Sequence, residues 1–173
     1  ITIKKRVELL PYVAAGLGGE KDNIDGPINY SKPKPNAGLG VNLDLNKNST
    51  LEITLNPDFS QVEADVTQID INSSVALEYP ERRPFFNRGT DIVQYANGAF
   101  YSRSINNPLI STKLISQGKK ERVYFLSALD QNSIYQIAGE DRSYLGQGGQ
   151  SFVNVLRYQR FVNKNTRLGL ITT

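Results

Sequence analysis

Apolar and polar residues alternate along three stretches of the first third of the chain, and this alternation constrains the fold more than any other feature. In the first stretch, from Val7 to Leu17, the odd positions are apolar. The second, from Ala37 to Leu45, and the third, from Leu51 to Leu55, place Gly, Asn, Asp, Glu and Thr between the apolar residues. Successive side chains of a strand point to opposite faces, so a period of two indicates strands whose faces have different surroundings.

Three short polar stretches join pairs of such strands. They are residues 46–49, between the second and third strands, residues 117–120, between strands at 110–116 and 122–130, and residues 162–165, between strands at 152–161 and 167–173. Their Asn, Gly, Ser and Lys residues tolerate the backbone dihedral angles of turns. Each pair is therefore predicted to form a hairpin.

Three long polar stretches, 18–35, 56–108 and 131–150, alternate with the short turns. Short connections at one end of a sheet and long ones at the other are typical of outer-membrane barrels. A soluble sandwich or a lipocalin-like barrel is the alternative, because alternation does not reveal which face meets lipid. We predict an all-β fold over residues 1–173, the N-terminal portion of a longer antiparallel transmembrane β-barrel with about seven or more strands in this chain.

The composition removes most familiar catalytic chemistry. The chain has no cysteine and no histidine, so neither a thiolate nor an imidazole can act as nucleophile, base or metal ligand. Its 20 basic and 17 acidic residues are mixed along the sequence, without the basic stripe that nucleic-acid binding requires. We therefore expect no catalytic residues, no cofactor and no nucleic-acid partner.

The long stretch 56–108 is the best candidate for a functional segment, and we predict that it is a plug or lid inserted in the barrel. Its candidate residues combine carboxylates, guanidinium groups and aromatic rings: Asp58, Glu63, Asp65, Arg82, Arg83, Phe85 and Phe86. Arginines favour carboxylate partners, and the rings favour burial. In a polar lumen the segment would meet inward acids such as Glu8, Asp44 or Glu52. The alternative is an outer loop packed on its own rings.

Two acidic groups are candidates for binding a hard cation, which prefers oxygen ligands. One consists of Asp58, Glu63, Asp65 and Asp70, and the other of Asp22, Asn23, Asp25 and Gly26. Neither has the spacing of a calcium-binding loop, and solvated turn residues are the alternative explanation of both. The sequence therefore leaves the presence of a metal undetermined.

Three motifs lie in the long stretch 56–108: NPDFSQVEADVTQI at 56–69, YPERRPFFNRGTDI at 79–92 and FYSRSI at 100–105. They resemble the barrel region of a large outer-membrane protein family of unknown function. That family occurs in Bacteroidota and related bacteria, C-terminal to a carbohydrate-binding module of the family-nine type. The matching positions are Asn56, Pro57, Asp58, Phe59, Gln61, Glu63, Asp65, Pro80, Glu81, Arg83, Pro84, Phe85, Phe86 and Gly89. The chain departs from the family's pattern at Asn87, Arg88 and Ser104.

The resemblance implies an outer-membrane barrel and implies no particular activity. The carbohydrate-binding module is not in this chain, so any carbohydrate partner would be bound through a domain that is not present here. We expect a protein of the outer membrane of a Gram-negative bacterium that serves transport or anchoring, or that is a subunit of a larger uptake or secretion assembly. Its expected partners are outer-membrane lipid and other outer-membrane proteins. The alternative is a soluble or surface carbohydrate-recognition β-domain.

Overall fold

A seven-stranded antiparallel sheet forms the body of the protein. The computed structural model describes residues 6–21, 27–57, 81–93, 100–137 and 144–173. In chain order the strands are β1 (Val7–Gly16), β2 (Gly19–Lys21), β3 (Ile28–Tyr30), β4 (Lys34–Asn46), β5 (Ser49–Leu55), β6 (Pro108–Gln117), β7 (Glu121–Ile137), β8 (Tyr144–Phe161) and β9 (Arg167–Thr172). Strands β2 and β3 form a separate two-stranded sheet, and the others form the main sheet in the order β1-β4-β5-β6-β7-β8-β9.

The three predicted hairpins are confirmed. Strand β4 pairs with β5, β6 with β7, and β8 with β9. Asparagine side chains stabilise two of the turns, because Asn46 Oδ1 accepts the amide of Asn48 at 2.8 Å and Asn163 Oδ1 accepts the amide of Asn165 at 2.9 Å. In the third turn, the amide of Gly118 donates to the carbonyl oxygen of Glu121 at 2.8 Å.

The predicted long connection over residues 131–150 is wrong in part. Strand β7 continues to Ile137 and β8 begins at Tyr144, so these strands reach 17 and 18 residues. Their pairing continues beyond register shifts between Asp130 and Ile134. Backbone hydrogen bonds extend this hairpin through a polar stretch that has no period-two pattern, and the alternation therefore did not predict it.

The strand register separates the alternating residues into two distinct faces. On one, here called the open face, the rows of cross-strand neighbours are mostly apolar. Two such rows are Pro11–Leu39–Leu55–Ile110–Leu129–Phe152 and Val7–Leu43–Leu51–Leu114–Phe125–Leu156. On the opposite face, here called the covered face, one row reads Glu8–Asn42–Glu52–Lys113–Leu126–Val155. This row thus changes from polar at β1 to apolar at β8.

Residues 81–93 and 100–107, here called the covering segment, pack on the covered face. The segment contains helices α1 (Pro84–Asn87) and α2 (Thr90–Val93) and a 3₁₀ helix (Ser102–Ser104). Its apolar side chains form one core with those of β6, β7 and β8. The buried members of that core are Phe86, Ile92, Val93, Ile105, Ile115, Tyr124, Leu126, Ala128 and Val155.

The described strands form an open sheet, with β1 and β9 at its two edges. The all-β antiparallel architecture is therefore confirmed. The closure of these strands into a transmembrane barrel stays a prediction.

Candidate functional site

Glu81 and Arg83 form a buried ion pair at the start of the covering segment. Arg83 Nε and Nη2 lie 2.8 and 2.7 Å from the two carboxylate oxygens of Glu81, and the side chains of Arg83 and Glu81 are 3% and 9% exposed. Arg83 also donates to the carbonyl oxygens of Ile105 at 2.5 Å and Ser102 at 2.9 Å. The guanidinium group therefore joins both halves of the covering segment through charge-assisted hydrogen bonds.

The Glu81 carboxylate is a structural acceptor rather than a proton donor at neutral pH. Burial alone would raise the pKa of this carboxyl, but hydrogen bonds from Arg83 and Ser102 outweigh burial and lower the pKa below its ordinary value. The Ser102 hydroxyl donates to Oε2 at 2.6 Å. The backbone amides of Arg82 and Arg83 donate to Oε1 at 3.1 and 2.9 Å. This carboxylate therefore organises the entry into α1.

The two adjacent rings of α1 have different surroundings. Pro84 stands in the first turn of the helix, where its fixed φ angle favours helix initiation. Phe86 is 1% exposed, and the Arg83 guanidinium carbon lies 4.0 Å from its ring centre. Phe85 is half-buried and meets Phe86 edge to face, with 5.0 Å between ring centres. Both rings thus contribute to the attachment of the covering segment.

Lys113 of β6 anchors the covering segment to the sheet. Its side chain has no exposed surface, and its ammonium nitrogen lies 2.8 Å from Glu52 Oε2. The same nitrogen donates to the carbonyl oxygens of Phe85 and, at 3.1 Å, of Arg88. The other Glu52 oxygen lies 2.9 Å from Arg88 Nη1. A buried ammonium needs acceptors for its three protons, and here the sheet and the covering segment supply them together.

Gly89 lets the chain between α1 and α2 touch the sheet. Its φ angle is +81°, in the left-handed region. A Cβ atom at this position would lie 2.8 Å from Ile115 Cδ1 and 3.1 Å from Tyr124 Cδ2. Glycine is therefore the residue that fits both the backbone conformation and the space.

Asp130 fixes the other end of the covering segment. This fully buried carboxylate accepts the backbone amides of Asn106 at 2.9 Å and Asn107 at 2.7 Å. Sequence reasoning did not identify Asp130 or Lys113, because each lies in a strand remote along the chain from the groups that it bonds. Only the strand register brings these partners together.

The structure describes four of the seven predicted plug residues. Arg83 and Phe86 are buried, Phe85 is half-buried and Arg82 is exposed. Of the expected acid partners, Glu52 does contact the covering segment, although it pairs with Arg88 and Lys113, while Arg83 pairs with Glu81. The remaining candidates for the plug and the cation sites lie outside the described residues: Asp58, Glu63, Asp65, Asp70, Asp22, Asn23, Asp25 and Gly26. The plug role itself stays a prediction.

Two small polar clefts flank Arg88. The larger has a volume of about 320 Å³ and is lined by Lys47, Asn48, Thr50, Arg88, Gly89, Ile115 and Gln117. The smaller, of about 140 Å³, is lined by Arg6, Glu8, Asn42, Asp44 and Arg88. Their linings offer charged and amide groups for hydrogen bonds. Within the part of the chain that the structure describes, no group of three or more metal-ligating side chains is assembled.

The open face is apolar across the full width of the sheet. Val13 of β1 is 83% exposed, Phe152 of β8 is 69% exposed and Leu168 of β9 is 62% exposed. Polar residues interrupt this face, among them the neighbours Thr112, Ser127 and Asn154 on β6, β7 and β8, and the pair Ser49 and Ser116 on β5 and β6. A wide apolar surface of this kind marks contact with another protein or with lipid.

Among the described residues, no helix combines the length and the apolarity needed to cross a membrane.

Comparison with known proteins identifies a family for most of the chain. No curated protein and no solved structure matches the chain. One protein family, described as a Domain of unknown function (DUF5916), matches residues 4–148. Because this match covers well over half of the 173 residues, the chain belongs to the DUF5916 family.

Proposed function

We propose that this chain forms part of the wall of an outer-membrane β-barrel, with the open face against lipid and the covering segment in the lumen. The observation that carries the proposal is the distribution of polarity between the two faces. The apolar face is the accessible one, whereas Glu8, Glu52 and Lys113 lie on the covered face. Membrane barrels are built in this way, with apolar residues outward and polar residues inward.

The lengths of β1 and β6 support the same proposal. Each has ten residues, whereas β5 and β9 have seven and six. A tilted strand needs about 9–11 residues to cross the hydrocarbon layer of a bilayer. Strands β7 and β8 are longer, so in the proposed barrel their hairpin extends beyond the bilayer at the end opposite the short turns.

The proposed barrel requires that β1 and β9 each gain a strand neighbour. Unpaired backbone groups at a strand edge cost several kcal/mol each in lipid, so an open edge is not stable there. We propose that the covering segment then restricts passage through the lumen, and that the barrel serves transport or anchoring, alone or with other outer-membrane proteins. Two ion pairs that join the segment to the wall, Arg88 with Glu52 and Asp91 with Arg122, support this role, because they give the segment one defined position.

Arginine substitutions at two adjacent positions of β4 test the proposal. Leu43 lies on the open face and Asn42 on the covered face, beside Glu8. Leu43→Arg is expected to cost about 2–3 kcal/mol of folding free energy in phospholipid vesicles, by the depth scale for lipid-facing arginines in barrels. Asn42→Arg is the matched control and is expected to cost less than about 1 kcal/mol, because its guanidinium would lie beside a carboxylate in a polar cleft.

Two measurements give the result. Denaturant titration of folding into vesicles gives the free energies, and heat-dependent gel mobility in mild detergent shows whether a compact barrel forms. A chain that folds in buffer without detergent or lipid, or equal costs for the two arginines, would refute the membrane assignment and favour a soluble β-domain.

A further inference from the structure

Basic residues gather at the end of the sheet where short turns join the strands. With two residues on either side, the three turns span residues 44–51, 115–122 and 160–167, and Arg6 lies beside the first of them because its carbonyl oxygen accepts the amide of Asp44 at 2.9 Å. The cations of this end, here called the basic rim, are Arg6, Lys47, Lys119, Lys120, Arg122, Arg160, Lys164 and Arg167. Asp44 and Glu121 are the acidic residues in these three segments. The rim therefore carries a strong excess of positive charge.

The basic rim borders the apolar open face directly. Arg160 and Leu168 are cross-strand neighbours on β8 and β9, and the next row inward contains Tyr158 and Leu170. Leu168 and Leu170 are 62% and 60% exposed, and the Arg160 side chain is 61% exposed. The positive charge of Arg160 thus lies within one row of side chains of the exposed apolar residues Leu168 and Leu170.

The arginines and the lysines of the rim are held differently. Arg122 and Arg167 lie 5.4 and 5.7 Å from the ring centre of Phe161, which keeps their guanidinium groups beside an apolar side chain. Lysines occupy all three turns and are exposed there: Lys47, Lys119, Lys120 and Lys164. A long cationic side chain at such a boundary places its stem along apolar surface and extends its charge toward a polar layer.

We infer that the basic rim binds the phosphate groups of anionic phospholipids in the leaflet at the short-turn end of the sheet. The inference rests on the proposed membrane function and adds to it a lipid class and a position. Strands of ten residues put the short turns at the depth of the headgroups when the open face fills the hydrocarbon layer. Charge complementarity then selects anionic over zwitterionic headgroups.

The geometry of the rim favours a lipid surface over a dissolved anion. Its cations are spread along the edge of the sheet, from Arg6 at β1 to Arg167 at β9. They do not converge on one point, as ligands of a single small anion would. A row of headgroups along the same edge matches the four turn lysines. The arginines Arg6, Arg122 and Arg160 lie 3.8, 3.5 and 3.9 Å from the carboxylates of Glu8, Asp91 and Glu121.

Vesicle binding of the refolded chain tests the inference. Vesicles of phosphatidylcholine alone are compared with vesicles that also contain phosphatidylglycerol, at low and high salt. Each Lys or Arg near an anionic surface contributes roughly fivefold to partitioning. The double variant Lys119→Gln/Lys120→Gln is therefore expected to lose on the order of 30-fold in partitioning onto the anionic vesicles and nothing on the zwitterionic ones.

Two controls make the test specific. Lys119→Arg/Lys120→Arg keeps the charge and should bind like the unchanged chain. Lys32→Gln/Lys34→Gln removes two exposed lysines at the opposite end of the sheet. Its partitioning onto anionic vesicles should fall less than that of Lys119→Gln/Lys120→Gln, here called the turn variant. High salt should weaken the preference for anionic vesicles, because it screens exposed charges.

The possible failures are distinguishable. If the chain enters both vesicle types equally and the turn variant has no effect, the proposed barrel stands and the inference about the rim is wrong. Equal losses for the turn variant and the Lys32/Lys34 variant would also overturn the inference, because net charge alone would then explain binding. If the chain enters neither vesicle type, the proposed function fails and the inference fails with it.

Discussion

Gly89→Ala should detach the covering segment from the sheet. Two costs add at this position. An L-residue in the left-handed region costs about 1–2 kcal/mol. The new methyl group would also press on Ile115 Cδ1, which lies 2.8 Å from its position, and overpacking of this kind costs about 1–3 kcal/mol. We therefore expect a loss of roughly 2–5 kcal/mol in the free energy of unfolding.

Gly149→Ala is the matched control that separates the two costs. Gly149 has a φ angle of +74°, and a Cβ atom there would meet no atom within 4 Å. The Gly149→Ala variant should therefore lose only about 1–2 kcal/mol in the free energy of unfolding, which is the backbone cost alone. The difference between the two alanine variants measures how tightly the chain between α1 and α2 packs on the covered face.

Ile115→Val provides a rescue, because it deletes the Cδ1 atom that the new methyl group would strike. Alone it should cost about 0.5–1.5 kcal/mol, but in the Gly89→Ala background it should cost less or restore stability. Urea titration gives the free energies, and trypsin cleavage after Arg88 reports local detachment. Equal losses for the Gly89 and Gly149 variants, or strictly additive effects of Gly89→Ala and Ile115→Val, would show that this packing reasoning is wrong.

Two further predictions concern the charge of Glu81 and the lipid contact of the open face at Asn154. The pKa of Glu81 is lowered in the folded state. The stability that this carboxylate contributes should therefore be complete above the ordinary glutamate range and disappear as pH falls through the folded-state pKa. Urea titrations of the unchanged chain and of Glu81→Gln should give free energies of unfolding that converge at acid pH, and a constant difference between them would contradict the assignment. Asn154→Leu should increase the free energy of unfolding in vesicles by about 1–3 kcal/mol, because it removes a polar group from a lipid-facing row. A decrease in the same titration would show that this part of the open face does not meet lipid.

The strands and hairpins were predictable because their signal is local. A period of two fixes which side chains share a face, and the Asn, Gly and Lys residues of a short connection specify a turn without reference to the rest of the chain. The alternation from Ala37 to Leu45 and from Leu51 to Leu55 thus identified β4, β5 and their pairing. The long polar continuation of β7 and β8 was missed, since its strands pair through backbone hydrogen bonds and carry no alternating side-chain pattern.

The attachment of the covering segment was only partly predictable. The aromatic and basic residues at 82–86 indicated a segment in need of partners, and Glu52 was among the acids named for them. Its actual partners, Lys113 and Arg88, depend on the register between β5 and β6 and on the position of the turn at Gly89. Those are long-range relations, and neither composition nor periodicity encodes them.

Because Lys113 is buried, the chemical reactivity of its amine reports movement of the covering segment. Six other lysines are exposed: Lys32, Lys34, Lys47, Lys119, Lys120 and Lys164. An acylating reagent would therefore modify those amines at once, but would reach Lys113 only after Glu52 and the carbonyl oxygens of Phe85 and Arg88 had released it. The acylation rate at this single residue, followed by peptide mass spectrometry, would give the opening rate of the segment without any added probe.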